Sequence, residues 1–271
     1  MIIWLASYPK SGNTWVRAFI TNYLIENSKN VFGKMNKIKR FPAKKNFIGI
    51  VNEDEIKKKP TELYKYFLHV QEKINENKKI NILKTHNIGG SIKGHPFTNS
   101  NNTCGLIYLV RDPRSVALSY AYHANISFEK SVEHLLNDHR ISVNEKIYAE
   151  IRSSWKIHIL SWLYNGSWPK ILIKYEDLHA NEFKYFKTIL QFINKFTKIE
   201  INDEKIKKTI NVCNFKNLSE LEKKEGFEEK VGNVNFFRKG ETEEWKNKLP
   251  KNLIKKIEET FKKEMKDLNY L

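Results

Sequence analysis

Short apolar, β-branched runs bounded by turn residues recur along the chain: Ile2 to Ala6, Ile80 to Leu83, Leu106 to Val110 and Ile171 to Ile173. Each predicts a strand buried on both faces, as in a parallel sheet covered by helices. Helical patterning fills the stretches between and after them, at Thr14 to Ile25, Ser115 to His123, Glu145 to Tyr164, Asp203 to Val212 and Leu253 to Leu268. The order is β then α repeatedly, ending in a helical third, which predicts an α/β fold. Two stretches read as loops: Lys29 to Lys59 is basic and irregular, and Gly226 to Gly240 carries glycines with few apolar residues. No repeat and no Pro/Gly/Ser-rich linker divides the 271 residues, so a single domain over 1–271 is expected.

Composition changes this picture little. Hydrophobic residues at 40% and aromatics at 13% exclude a mainly disordered chain. A formal net charge of +17 favours an anionic partner: a nucleotide, a nucleic acid, an anionic glycan or an acidic membrane surface. The lysines are spread among many Asn and Ile residues, however, as AT-rich coding alone would produce, and read as a solvated face. The densest runs, Lys57 to Lys59 and Lys262, Lys263 with Lys266, fall in segments that predict exposed helix. Cys104 and Cys213 stand far apart without CxxC spacing, so neither a disulfide framework nor a zinc site is expected, and a reducing cytoplasm fits. The start of the chain has no basic region followed by a long apolar run, and nowhere do about 18 consecutive apolar residues occur. No export and no membrane span are expected.

Ligands of an open parallel sheet bind beyond the carboxyl ends of its strands, so the residues after each strand are the candidates for chemistry. After the first comes Tyr8-Pro9-Lys10-Ser11-Gly12-Asn13-Thr14-Trp15, a turn running into a helix. Backbone amides, a helix N-terminus and a lysine make a phosphate cradle. Nucleotide loops of the kinase type place Lys after the second Gly of GxxxxGK(S/T), whereas Lys10 precedes Gly12. The second strand ends in Lys84-Thr85-His86, where an imidazole has the basicity to take a proton at neutral pH. The third ends in Arg111-Asp112-Pro113-Arg114-Ser115, with Ser119 eight residues past Arg111, a fork and a hydroxyl suited to one phosphate. Phe237-Arg238-Lys239-Gly240 adds two cations and a flexible glycine.

Four of these segments, in the same order, resemble the motifs of sulfotransferases that use 3′-phosphoadenosine 5′-phosphosulfate (PAPS). YPKSGNTW at Tyr8 to Trp15 resembles the family's 5′-phosphosulfate loop, and KTH at Lys84 to His86 resembles the segment with its catalytic histidine. YLVRDPRSVALSY at Tyr108 to Tyr120 is similar to its 3′-phosphate motif, and RKGETEEWKN at Arg238 to Asn247 to RKGxxGDWKN. IKYEDL at Ile173 to Leu178 is similar to the segment whose tyrosine contacts adenine, and Asn214-Phe215 lies where the family has a Ser-Phe pair. The sequence departs from the pattern at Asn13, in place of Thr, and at Glu243-Glu244, in place of Gly-Asp. The family's short dimer motif is not recognisable after Trp245.

The resemblance implies a P-loop-NTPase-like central parallel sheet flanked by helices, and transfer of a sulfuryl group from PAPS to an acceptor hydroxyl or amine, releasing adenosine 3′,5′-bisphosphate (PAP). It implies a catalytic set of Lys10, Lys84, His86 and Ser119. Lys10 would stabilise the leaving oxygen, Lys84 the transferring sulfuryl oxygens, and His86 would be the general base. Lys10, Ser11, Gly12, Asn13, Thr14, Trp15, Arg111, Ser119, Tyr175, Phe215, Arg238, Lys239 and Gly240 would bind the donor, with no metal ion. The expected partner is a small-molecule or glycan acceptor rather than nucleic acid. Two other readings are a P-loop kinase and a non-enzymatic basic anion-binding protein.

Overall fold

The computed structural model of the chain describes all residues except 26–29, 53, 55–57, 144–148 and 232–233. Five strands form its main sheet: β1 (Ile2–Ser7), β2 (Lys39–Arg40), β3 (Asn81–Thr85), β4 (Thr103–Val110) and β5 (Lys170–Lys174). Their order is β2-β3-β1-β4-β5. β1 pairs in parallel with β3 and β4, and β2 in parallel with β3. The central strand β1 is buried along its whole length, as a strand covered on both faces must be. At the sheet edge the expectation fails in part: of Ile171 to Ile173 only Ile173 is buried, and Leu172 is exposed. An edge strand has a neighbour on one side alone.

The helices that matter below are α1 (Asn13–Leu24), α2 (Phe67–Asn75), α3 (Pro113–Ala124), α4 (Trp155–Leu163), α5 (Tyr175–Ala180), α6 (Glu182–Asn194), α7 (Asp203–Cys213), α8 (Phe215–Glu225), α9 (Lys251–Thr260) and α10 (Lys262–Asp267). Three expectations are corrected. The helix expected over Glu145 to Tyr164 begins only at Trp155, because the Ser154 hydroxyl caps it by accepting the Ile157 amide, and Glu150–Ile151 is a short strand paired with Ile141–Ser142. The helix expected over Leu253 to Leu268 is broken at the buried Phe261, which separates α9 from α10. The loop expected from Lys29 to Lys59 contains the helix Val31–Met35 and strand β2. Lys29, Lys57, Gly232 and the start of the Glu145 segment lie outside the described residues. Lys58, Lys59, Lys262, Lys263 and Lys266 are exposed, as a solvated face requires.

The chain divides into two compact units, each entered more than once. The first comprises residues 1–8, 38–109 and 137–172; the second comprises 9–37, 110–136 and 173–271. In the first, Trp4 of β1 is the centre of an aromatic core, 5.6 Å from Phe41, 5.0 Å from Phe97 and 6.1 Å from Trp162 between ring centroids. Its indole N–H is satisfied by the Thr103 hydroxyl at 2.8 Å, so the ring is buried at no polar cost. Truncating such a residue costs about 3–5 kcal/mol. In the second unit, α1 buries the stripe Val16, Phe19, Ile20 and Tyr23, and Phe19 stacks on Phe186 of α6 at 3.9 Å. Ala18, Met35, Cys213, Leu218 and Phe237 form an adjoining cluster that fixes α1, α7 and α8 together.

Candidate functional site

The turn before α1, where a phosphate cradle is expected, lies in the second unit. Lys10 and Gly12 both adopt positive φ, at 68° and 92°, and Gly12 is the N-cap of α1 without a side-chain capping bond. The first amides of the helix therefore face outward with the positive end of its dipole, and its first turn holds no acidic residue. Gly12 is required twice over: a Cβ there would lie 2.7 Å from the Tyr175 ring, and the backbone is left-handed. The Ser11 hydroxyl is buried and has no hydrogen-bond partner among the described residues. Burying a hydroxyl that way is unfavourable unless a ligand completes it, which fits a phosphate oxygen.

Arg111, at the tip of β4, joins three of the sequence motifs. Its guanidinium donates to the Lys10 carbonyl at 3.1 Å and the Glu241 carbonyl at 2.8 Å, and lies 4.2 Å over the Tyr175 ring. Tyr175, the first residue of α5, donates its hydroxyl to the Gly240 carbonyl at 2.9 Å. A Cβ on Gly240 would come within 2.7 Å of Phe215, so Tyr175 and Phe215 each lie against a glycine of the anion-binding segments. Trp15 is anchored more firmly, donating its indole N–H to the Cys213 carbonyl at 3.0 Å and meeting Phe186 edge to face. Ser119 sits on α3 one turn after Ser115, whose hydroxyl donates to the Thr242 carbonyl at 2.6 Å, and one turn before Tyr122, over whose ring Arg238 lies at 4.1 Å. Residues three and four apart share a helix face, so Ser119 belongs to the face turned toward the Arg238 to Thr242 segment.

Three carboxylates of the second unit complete this site, and only Glu244 was singled out in the sequence. Glu229 accepts from the Thr14 hydroxyl at 3.1 Å and from Arg17 at 2.8 Å. Glu244 accepts from Arg238 through both guanidinium nitrogens and lies 3.3 Å from the Lys239 ammonium, so the departure from Gly-Asp puts a longer carboxylate on the two cations assigned to the 3′-phosphate. Glu222 accepts the amides of Phe236 and Phe237 at 2.6 and 2.8 Å. That places Phe236 under the Lys10 ammonium, 3.7 Å from the ring centroid. Enclosure of the ammonium, reinforced by Arg111 and Arg238 and opposed by Glu229 and Glu222, brings the Lys10 pKa down to about 7.

Lys84 and His86 lie in the first unit, at the carboxyl end of β3, and both are buried. The His86 Nδ1 is 2.7 Å from the Ser7 carbonyl oxygen and 3.2 Å from the Ser7 hydroxyl. A carbonyl can only accept, so Nδ1 carries the proton and Nε2 keeps its lone pair. Burial foremost, then Lys84 and Arg40, hold the imidazole pKa well below its ordinary value, so the ring is neutral at physiological pH. His158 of α4 fixes the same segment from behind. Its Nε2 is 3.2 Å from the His86 carbonyl oxygen, and its Nδ1 is 2.7 Å from the Tyr108 hydroxyl.

Comparison with known proteins identifies the family and the fold. The family model described as a sulfotransferase domain matches residues 2–269. A flavonol 3-sulfotransferase of Flaveria bidentis is 26% identical over 266 residues, 94% of this chain and 79% of that protein. A cytosolic sulfotransferase of Arabidopsis thaliana is 25% identical over 278 residues, 98% of this chain and 77% of that protein. In fold, the chain is similar to a mouse sulfotransferase solved in complex with PAP, with a TM-score of 0.61 and 22% identity, covering 98% of this chain and 84% of that one. With the family model matched along nearly its whole length, this chain belongs to the sulfotransferase family of enzymes.

Proposed function

We propose that residues 1–271 act as one cytoplasmic sulfotransferase domain that moves the sulfuryl group of PAPS to a hydroxyl or amine of a small-molecule acceptor. The observation that carries this reading is the pair of carboxylates in the second unit. Glu229 sits on Thr14 and Arg17 at the start of α1, while Glu244 sits on Arg238 and Lys239, so the unit holds two separate seats for an anion. A donor phosphorylated at both its 5′ and 3′ positions fits two seats, with Ser11 to Trp15 and Lys10 taking the phosphosulfate end. Arg111, Ser119, Arg238, Lys239 and Gly240 take the 3′-phosphate, and Tyr175 and Phe215 wall the adenine. The flavonol acceptor in the relative's name supports a small-molecule acceptor.

The chemistry follows from the protonation states. The acceptor oxygen attacks sulfur while its proton passes to His86 Nε2, and the bond from sulfur to the phosphate oxygen breaks, leaving PAP. Charge accumulates on that phosphate, which Lys10 stabilises, and Lys84 supports the sulfuryl oxygens. The test is transfer of radioactive sulfur from PAPS to 4-nitrophenol and to 4-nitrobenzyl alcohol. The alcohol needs a base and the acidic phenol needs little help, so His86→Ala should lose about 10²–10⁴-fold on the alcohol and much less on the phenol. Lys10→Ala should lose the same factor on both. Alcohol sulfation at the wild-type rate in His86→Ala would remove His86 as the base.

A further inference from the structure

Beside the Lys84 to His86 segment, the first unit holds an ion cluster that the reaction as described does not use. Glu150 is fully buried. Arg40 of β2 donates to both its oxygens, at 3.0 and 3.1 Å, and Arg152 donates through Nε at 2.8 Å. The cluster is tied to the base from two directions. Arg40 is in register with Lys84 across the parallel β2 and β3 pair. The residue after Glu150 donates its amide to the Asn87 side chain and accepts the Ile88 amide, both at 2.8 Å, which fixes the strand carrying Glu150 to the residues after His86.

We propose that Glu150 is a positioning residue for proton transfer, its carboxylate serving as the fixed counter-charge for the imidazolium that forms when His86 accepts the acceptor proton. This rests on the assignment of His86 as base. The groups around the two imidazoles leave the role to Glu150. Lys84 and Arg40 are cations and oppose the imidazolium, Arg152 opposes protonation of the neighbouring His158, and Arg140 donates to the Tyr8 hydroxyl. His158 is held neutral, its pKa brought down to about 3 by burial, and the Tyr108 phenol, which also touches His158, is pushed well above its ordinary pKa by burial. Among the described residues, the carboxylate that favours the His86 imidazolium is Glu150, and Arg40 and Arg152 outweigh the effect of burial to keep it ionised.

A purely structural cluster and a counter-charge differ in the sign of two substitutions. With the intact protein saturated with PAP, the His86 ring is followed by NMR against pH, its signal assigned by its loss in His86→Ala. Glu150→Gln removes the anion and should lower the His86 midpoint by about one pH unit, whereas Arg40→Gln removes an opposing cation and should raise it by a similar amount. The ratio of alcohol to phenol sulfation should fall about three- to tenfold in Glu150→Gln and hold or rise in Arg40→Gln. Arg40→Gln leaves Glu150 paired with Arg152, so it keeps the test decisive where Glu150→Gln fails to fold. A midpoint unmoved in Arg40→Gln, or moved the same way by both, overturns the proposal. If His86→Ala itself sulfates alcohols normally, the failure lies instead in the assignment of the base.

Discussion

Lys10 is placed where its charge is costly until a ligand arrives. Its ammonium lies over Phe236 beside Arg111 and Arg238, and its pKa of about 7 leaves it largely neutral in mildly alkaline solution. The unfolded value is 10.5, so between these two values the unfolded chain binds the extra proton, and this group's contribution to stability rises with pH across that window. A phosphate anion reverses the balance and favours the ammonium. PAP binding at about pH 8 should therefore take up close to one proton, and affinity should fall as pH rises above about 7. Calorimetry in two buffers of different ionisation enthalpy measures the uptake, and Lys10→Met should abolish it; uptake that persists in the variant assigns the proton elsewhere. Lys10 and His86 were legible because each follows a recognisable strand. Glu229 and Glu150 were not, since Glu228-Glu229-Lys230 reads as a solvated charge run and Glu150 as one polar position in a helix. Only folding brings Thr14 to the first and Arg40 to the second.

The segment from Gly226 to Trp245 shows the limits of reading an element from its glycines. As expected for Gly226 to Gly240, those of its residues that are described form no helix or strand, and a short helix follows at Trp245–Lys248, yet the segment is fastened at four points. Glu222 holds the Phe236 and Phe237 amides, Arg111 holds Glu241, Tyr175 holds Gly240, and Ser115 holds Thr242. The same segment lends Glu229 to Thr14, which is assigned to the donor's 5′ end, and to Arg17 one turn further along α1. Donor and carboxylate compete for Thr14. Glu229→Gln keeps the side chain's shape but weakens its hold on Arg17, and a charge-assisted hydrogen bond contributes about 1.5–3 kcal/mol. PAP should therefore bind about tenfold tighter or more to Glu229→Gln, measured by calorimetry at fixed salt, and weaker binding would mean that Glu229 holds the loop in its binding form. The boundary of α1 was legible to within a residue, since the helix expected from Thr14 begins at Asn13 after the turn at Gly12. That of α4 was missed at Ser154, because Ser153-Ser154 inside an otherwise helical pattern does not reveal which hydroxyl turns back to cap.

For the molecule as a whole, the parallel sheet was legible in its apolar runs, most clearly at β1 and β4, because strands covered on both faces leave an uninterrupted apolar signature; the short β2 was not, since Lys39 and Arg40 are polar and pair only at the sheet edge. The interleaving of two compact units was equally hidden, as no linker marks a chain that passes between them several times. Net charge of +17 is the other whole-molecule property, and it separates the enzyme from a basic anion-binding protein through stability. A ligand selective for the folded state at about 100 times its dissociation constant stabilises it by about 2.7 kcal/mol. For a chain of this size that raises Tm by roughly 5–10 °C. PAP should reach that shift, whereas ATP, which lacks a 3′-phosphate for Arg238 and Lys239, should give much less at equal concentration. Arg238→Ala with Lys239→Ala should shrink the PAP shift toward the ATP value without lowering the ligand-free Tm comparably, because both side chains carry their charge to Glu244 rather than into the core. General attraction to the positive surface would instead give similar shifts with PAP and ATP, both fading together as salt rises and both spared by the double substitution, and that result would return Arg238 and Lys239 to an ordinary basic loop.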